Sequence, residues 1–205
     1  LAATIGCAGG AGRGGGRSAP LYAIEARSDQ GMVASGSEEA TRAGVAVLER
    51  GGNAVDAAVA AAFALGVADP GGSGLGGLTY MLIAPDGGNP VAVDGSTPAP
   101  LAADPAALRA IRDSGGYFGY AAAAVPTTPA VLAHALARYG TMELAEVLAP
   151  AIEIAEQGFR LSSSNIAWTN AYLDEIRASQ SLRFIVLADG ASPGRPGDRL
   201  CRPEL

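Results

Sequence analysis

Apolar and polar positions repeat with two different periods along this chain, and the changes of period mark its elements. In SEEATRAGVAVLERGG, residues 37 to 52, Ala40, Ala43, Val47 and Leu48 recur at helical spacing. That predicts an amphipathic helix capped by Ser35 or Ser37 and stopped by Gly51-Gly52. Asn53 then caps a second helix, AVDAAVAAAFALGVADP, with Asp56 three residues on to complete a capping pair. From Ala57 to Ala68 no residue is polar. A helix with no wet face must lie between other layers, and this one falls short of the about 20 apolar residues a membrane span needs. The period then drops to two: LTYMLIAP and PVAVDGS read as short strands joined by the turn Asp86-Gly87-Gly88-Asn89.

Helical spacing returns in PAALRAIRD, capped by Asp104 and closed by Gly115. Thr128 and Pro129 open another helix, with Val131, Leu132, Ala135, Leu136 and Tyr139 on one face, His134 off it, and Gly140 at its end. ELAEVLAPAIEIAEQG carries a stripe of Leu144, Val147, Leu148, Ala151, Ile152 and Ala155, which Pro150 is expected to kink or restart. SSSNIAWTNAYLDEIRASQSLRFIV is expected to be helical, anchored by Ile166, Trp168 and Tyr172. Core packing is the reading of Trp168, and ligand stacking its alternative. DGASPGRPGDRLCRPEL reads as a proline- and glycine-rich loop.

Composition narrows the chemistry. With 205 residues, 49% of them apolar, the chain can bury one sizeable core. All fourteen basic residues are arginine, so neither Schiff-base chemistry nor a P-loop lysine can arise within it. A net charge of −6 without a basic cluster argues against nucleic acid as a partner. One histidine, His134, and two cysteines, Cys7 and Cys201, cannot assemble a zinc site, and no cofactor is expected. LAATIGC followed by AGGAGRGGGRSAP resembles the tail of a bacterial lipoprotein signal and a flexible leader over residues 1–28. Two readings stand: a lipidated Cys7 that anchors an exported protein to the membrane, or a plain disordered leader. The folded part is expected over residues 29–205.

Gly72-Ser73-Gly74-Leu75-Gly76-Gly77 fits the dinucleotide pattern G-x-G-x-x-G. Such a loop runs from strand into helix, so that helix N–H groups face the pyrophosphate. Here the order is helix into strand, which removes the phosphate cradle. The glycines instead read as positions for φ > 0 turns and for close backbone approach where a buried helix meets the first strand.

Further along, several motifs stand in a familiar order. GMVASGSEEATRAGVAVLERGGNAVDAAVAAAFALGVADPGGSGLGG, then VPTTPAVLAHALARYGTMELAEVLAPAIEIAEQGFRLS, then GDRLCRPEL resemble the large subunit of the gamma-glutamyltransferase family over about residues 31 to 205. That resemblance implies an α/β N-terminal-nucleophile hydrolase with a four-layer αββα fold, of which this chain holds part. It also implies a GMVAS strand, a self-cleaving precursor, and a threonine nucleophile on the small subunit that attacks a γ-glutamyl amide. No catalytic residue is expected within the 205 residues. The threonine is expected beyond Leu205, and the apolar surface that the remainder of the protein would cover is expected to leave the isolated piece poorly soluble or less stable than its length suggests. Expected partners are a small γ-glutamyl or related acyl amide, the remainder of both subunits, and an extracytoplasmic membrane surface if Cys7 carries lipid.

Two departures from the family pattern matter. In the family's LDxRExAP stretch an arginine holds the substrate α-carboxylate; the matching residues are Val93-Asp94-Gly95-Ser96-Thr97-Pro98-Ala99-Pro100, which puts Ser96 at the arginine position. No arginine lies between Arg50 and Arg109. A hydroxyl offers one neutral hydrogen bond where a guanidinium offers forked, charge-assisted ones. Thr127 stands where the family turn has glycine, which bears on whether that turn needs φ > 0. Three functional readings follow: an amide hydrolase drifted in acyl specificity, a true γ-glutamyl hydrolase with its cation from elsewhere, or a non-catalytic relative acting as a scaffold.

Overall fold

The computed structural model describes residues 26–115, 123–187 and 190–205; Cys7 and the rest of residues 1–25 lie outside them. The described residues fall into two units, one ending at Met32 and the other spanning Val33–Leu205. In the first, the Ser28 hydroxyl accepts the N–H groups of Gln30 and Gly31. The expected GMVAS strand is absent: residues 31–35 join no ladder among the described residues, and a strand exists only by pairing with a neighbour.

The second unit is built around one buried helix. Ser37 caps α1 (Glu38–Glu49) through Ala40 N–H. Asn53 and Asp56 form the reciprocal cap of α2 (Ala54–Ala68). Of α2, Val59, Ala60 and Ala64 are fully buried and Phe63 nearly so, as a helix with no polar stripe requires. It packs against α1, against α5 (Thr128–Tyr139) and against α6 (Leu144–Gln157). The face of α5 that buries is Val131, Leu132, Ala135 and Leu136, while His134 is exposed.

Asp56 holds this layer together. Its buried carboxylate accepts the backbone N–H groups of Asn53 (2.7 Å), Thr141 (2.9 Å) and Met142 (3.2 Å), and the Thr141 hydroxyl (2.6 Å). It therefore caps α2 and clamps the turn between α5 and α6. Burial alone would raise its pKa, but these bonds outweigh that and hold it below the usual carboxylate range.

Helix α6 runs unbroken through Pro150, and the reason is specific. Proline at 150 frees the carbonyl of Glu146, which instead accepts from Arg50 Nη2 at 3.1 Å. The α6 stripe is narrower than the sequence suggests: Val147, Ala151 and Ala155 are buried, whereas Leu144 and Ile152 are 41% and 53% exposed.

After α2, a single helical turn, α3 (Pro70–Ser73), leads into the hairpin of β1 (Thr79–Ile83) and β2 (Val91–Gly95), registered Thr79↔Gly95 and Ile83↔Val91. One hairpin face lies on α5. Asp104 caps α4 (Pro105–Asp113), which buries none of its side chains. The stretch expected as one long helix is three: α7 (Ser163–Ala171), α8 (Leu173–Ala178) and α9 (Gln180–Val186). Ser179 restarts the helix by capping Leu182 N–H. The expected terminal loop contains a strand, β4 (Arg199–Leu200), paired with β3 (Phe159–Arg160). Arg202 N–H to Ala155 O at 2.8 Å continues that return.

Candidate functional site

The glycine run sits where the core helix hands the chain to the hairpin. None of Gly71 to Gly77 has positive φ, so the turn geometry expected of them is not their purpose. Close approach is. A Cβ on Gly71 would stand 2.5 Å from the Trp168 ring, and one on Gly72 would stand 2.5 Å from Asp69 Oδ2. Trp168 is thereby a packing residue, tilted against Tyr172 with ring centroids 5.4 Å apart. Together with Thr79 and Thr128 the run lines an open groove of about 470 Å³.

The VPTTP turn docks on the same place. Gly77 O accepts the N–H groups of Thr127 (3.0 Å) and Thr128 (3.3 Å), and the Thr79 and Thr128 hydroxyls meet at 2.8 Å. The Thr127 hydroxyl donates to Gly95 O. Thr127 itself has φ −115° and ψ −14°, which any residue adopts, so threonine in place of glycine strains nothing. This network fixes the end of β2, and with it the next residue.

That residue is Ser96, which is exposed. Its N–H and hydroxyl both donate to Asp94 Oδ1, at 2.8 and 2.6 Å, and its oxygen lies 3.1 Å from the Tyr80 hydroxyl. Hydroxyl first and N–H second, Ser96 holds the Asp94 carboxyl below its usual pKa. The Ser96 proton is thus committed to an exposed anion, and no cation stands among these partners. Reading the sequence singled out Ser96 but missed both partners. Asp-x-Ser signals an Asx-type turn, and the hairpin register pairs Tyr80 with Asp94.

Thr41, Thr79, Thr97, Thr127, Thr128 and Thr169 are all internal to the chain. Cys201 is an exposed free thiol. Among the described residues no group of three or more His, Cys, Asp or Glu could hold a metal ion, and no helix is long and apolar enough to cross a membrane.

By its likeness to solved structures, the helical layer and the hairpin packed on it are part of an N-terminal-nucleophile hydrolase fold. The family model for gamma-glutamyltranspeptidase matches residues 40–205, and the chain belongs to that family. It is 35% identical over 185 residues to a glutathione hydrolase proenzyme of Escherichia coli, covering 87% of this chain and 32% of that protein. It is 37% identical over 193 residues to an acylase ACY 1 proenzyme of a Pseudomonas species, covering 87% and 34%. The crystal structure of Helicobacter pylori gamma-glutamyltranspeptidase superposes with a TM-score of 0.80 at 31% identity, covering 88% of this chain and 53% of that one. The chain spans about a third of the length of the curated relatives it matches.

Proposed function

We propose that this chain is the N-terminal part of the large subunit of a gamma-glutamyltransferase-like amide hydrolase or acyltransferase that does not select for a free glutamyl α-carboxylate. Family membership supports the reaction class, and relatives named as proenzymes support a self-cleaving precursor whose new N-terminal threonine is the nucleophile. In that chemistry the free α-amine serves as base for the hydroxyl, and backbone donors hold the oxyanion.

The observation that carries the specificity is the Ser96 geometry. A carboxylate arriving at the family's arginine position meets a hydroxyl already donating to Asp94 and, beside it, the ionised Asp94 itself. Like charges at short range repel, so the site disfavours the anion that the arginine would clamp. Acyl groups without that α-carboxylate fit it better.

The test uses the full-length precursor and three anilides: γ-glutamyl, glutaryl and butyryl. We expect kcat/KM for the γ-glutamyl compound to be no higher than for the other two. Ser96→Arg should raise it about tenfold or more, the range of a charge-assisted hydrogen bond. A strong γ-glutamyl preference in the unsubstituted protein overturns the specificity reading.

We further propose export with a lipid on Cys7. The support is LAATIGC alone. Fatty-acid labelling of the full-length protein that persists in Cys7→Ala would defeat it.

A further inference from the structure

Arg202 is 6% exposed, and its Nε is the buried side-chain polar atom left without a hydrogen bond among the described residues. The backbone around it is satisfied, with Arg202 N–H on Ala155 O. Its guanidinium carbon lies 5.6 Å from the centroid of Phe159, and a ring face attracts a cation without neutralising it. Burial pushes its pKa down. A buried guanidinium with no anion costs several kcal/mol, and an orphaned buried donor in a native fold has a partner to be found.

The same small cavity that Arg202 lines is also lined by Asp69, Asn165 and Thr169. Asp69 is half-buried, heads the glycine turn, and makes no capping bond with its side chain. Its carboxylate lies over Gly72, in space that any side chain at 72 would take. No ion pair joins Asp69 to Arg202 among those formed by the described residues. The cavity that both line measures about 10 Å³, the room of one water, and its polar lining residues can give a water the two to four partners it needs.

We propose that Asp69 and Arg202 are charge partners bridged by one buried water, and that this bridge positions the glycine turn by tying it to the β3–β4 sheet. The water accepts from Arg202 Nε and donates to the Asp69 carboxylate. Neither residue belongs to the family's arginine stretch, and the pairing stands whether or not the acyl specificity proposed above is right. It explains why Gly72 is a glycine and why a guanidinium can be buried at 202.

The test is a double-mutant cycle in the full-length protein, read by thermal unfolding and by hydrogen exchange. Asp69→Asn leaves the buried cation unanswered and should lower Tm by about 5 °C. It should also speed amide exchange in residues 70–77 and 199–202 while leaving α1 unchanged. Arg202→Met should cost less, because the half-buried Asp69 regains solvent. The double variant should recover at least half of the Tm lost in Asp69→Asn and restore exchange in residues 70–77. If Asp69→Asn does not fold, the double variant must. Tm losses that simply add, or a double variant that fails to rescue, overturn the pairing.

Discussion

Helix α2 and strand β1 are both apolar, yet one is finished and the other is not. From Val55 onward, eleven of the fourteen residues of α2 are buried and Ala58 alone is exposed, because α1, α5 and α6 each cover a side. In β1, alternate residues behave oppositely: Ile83 is buried under the helical layer, while Tyr80 and Leu82 are 63% and 76% exposed on the other face. A strand with one wet face normally alternates apolar with polar. Here Leu82 faces outward beside Ala92, its neighbour across the ladder. The helical layer therefore completes its own core, and the hairpin carries a second apolar face that the residues described do not cover.

The largest effect that would sharpen this contrast is at Asp56. Asp56→Ala orphans the donors of Asn53, Thr141 and Met142 and should cost about 3–5 kcal/mol by urea unfolding. A loss under 1 kcal/mol would show that the helical layer does not depend on this clamp. The pH dependence has a definite sign. Because the folded pKa of Asp56 is lowered, its contribution is fully present above the unfolded value of about 3.9 and disappears as pH falls through the lower folded value. Asp56→Asn should flatten that acid limb of the stability profile.

A smaller effect tests the hairpin. Leu82→Ser should change the stability of the 205-residue chain by no more than about 0.5 kcal/mol, since the side chain is exposed there. In the full-length protein the same substitution should cost about 2 kcal/mol, the worth of a buried leucine. Equal, small costs in both would mean that nothing packs on this face.

What could be read beforehand follows the range of the interactions. The Asn53–Asp56 cap, the stripe of α5 and the hairpin with its turn are local, and their signals lie within one or two turns of sequence. The β3–β4 pair was not legible, because two-residue strands have no period to detect and their partners are far apart along the chain. The break at Ser179 is hidden in the sequence because a serine inside a helical pattern carries the cap signal only when the preceding helix has ended. Leu144 and Ile152 were assigned to the core because a sequence shows which face is apolar but not how wide a strip the neighbouring helices cover. For the candidate site, the arginine position and its serine were visible. Asp-x-Ser signals a local turn, but only the fold shows the Ser96 proton committed to Asp94 and the cavity shared by Asp69 and Arg202.

Proline within α6 has a consequence for the pair of helices it involves. Since the carbonyl it releases is answered by the side chain of Arg50, the C-terminal end of α1 and the first turn of α6 share one bond that belongs to neither helix alone. The kink-prone point of one segment is thus its point of attachment to the other. Displacing the end of α1 would therefore leave the Glu146 carbonyl without both its helical and its side-chain donor.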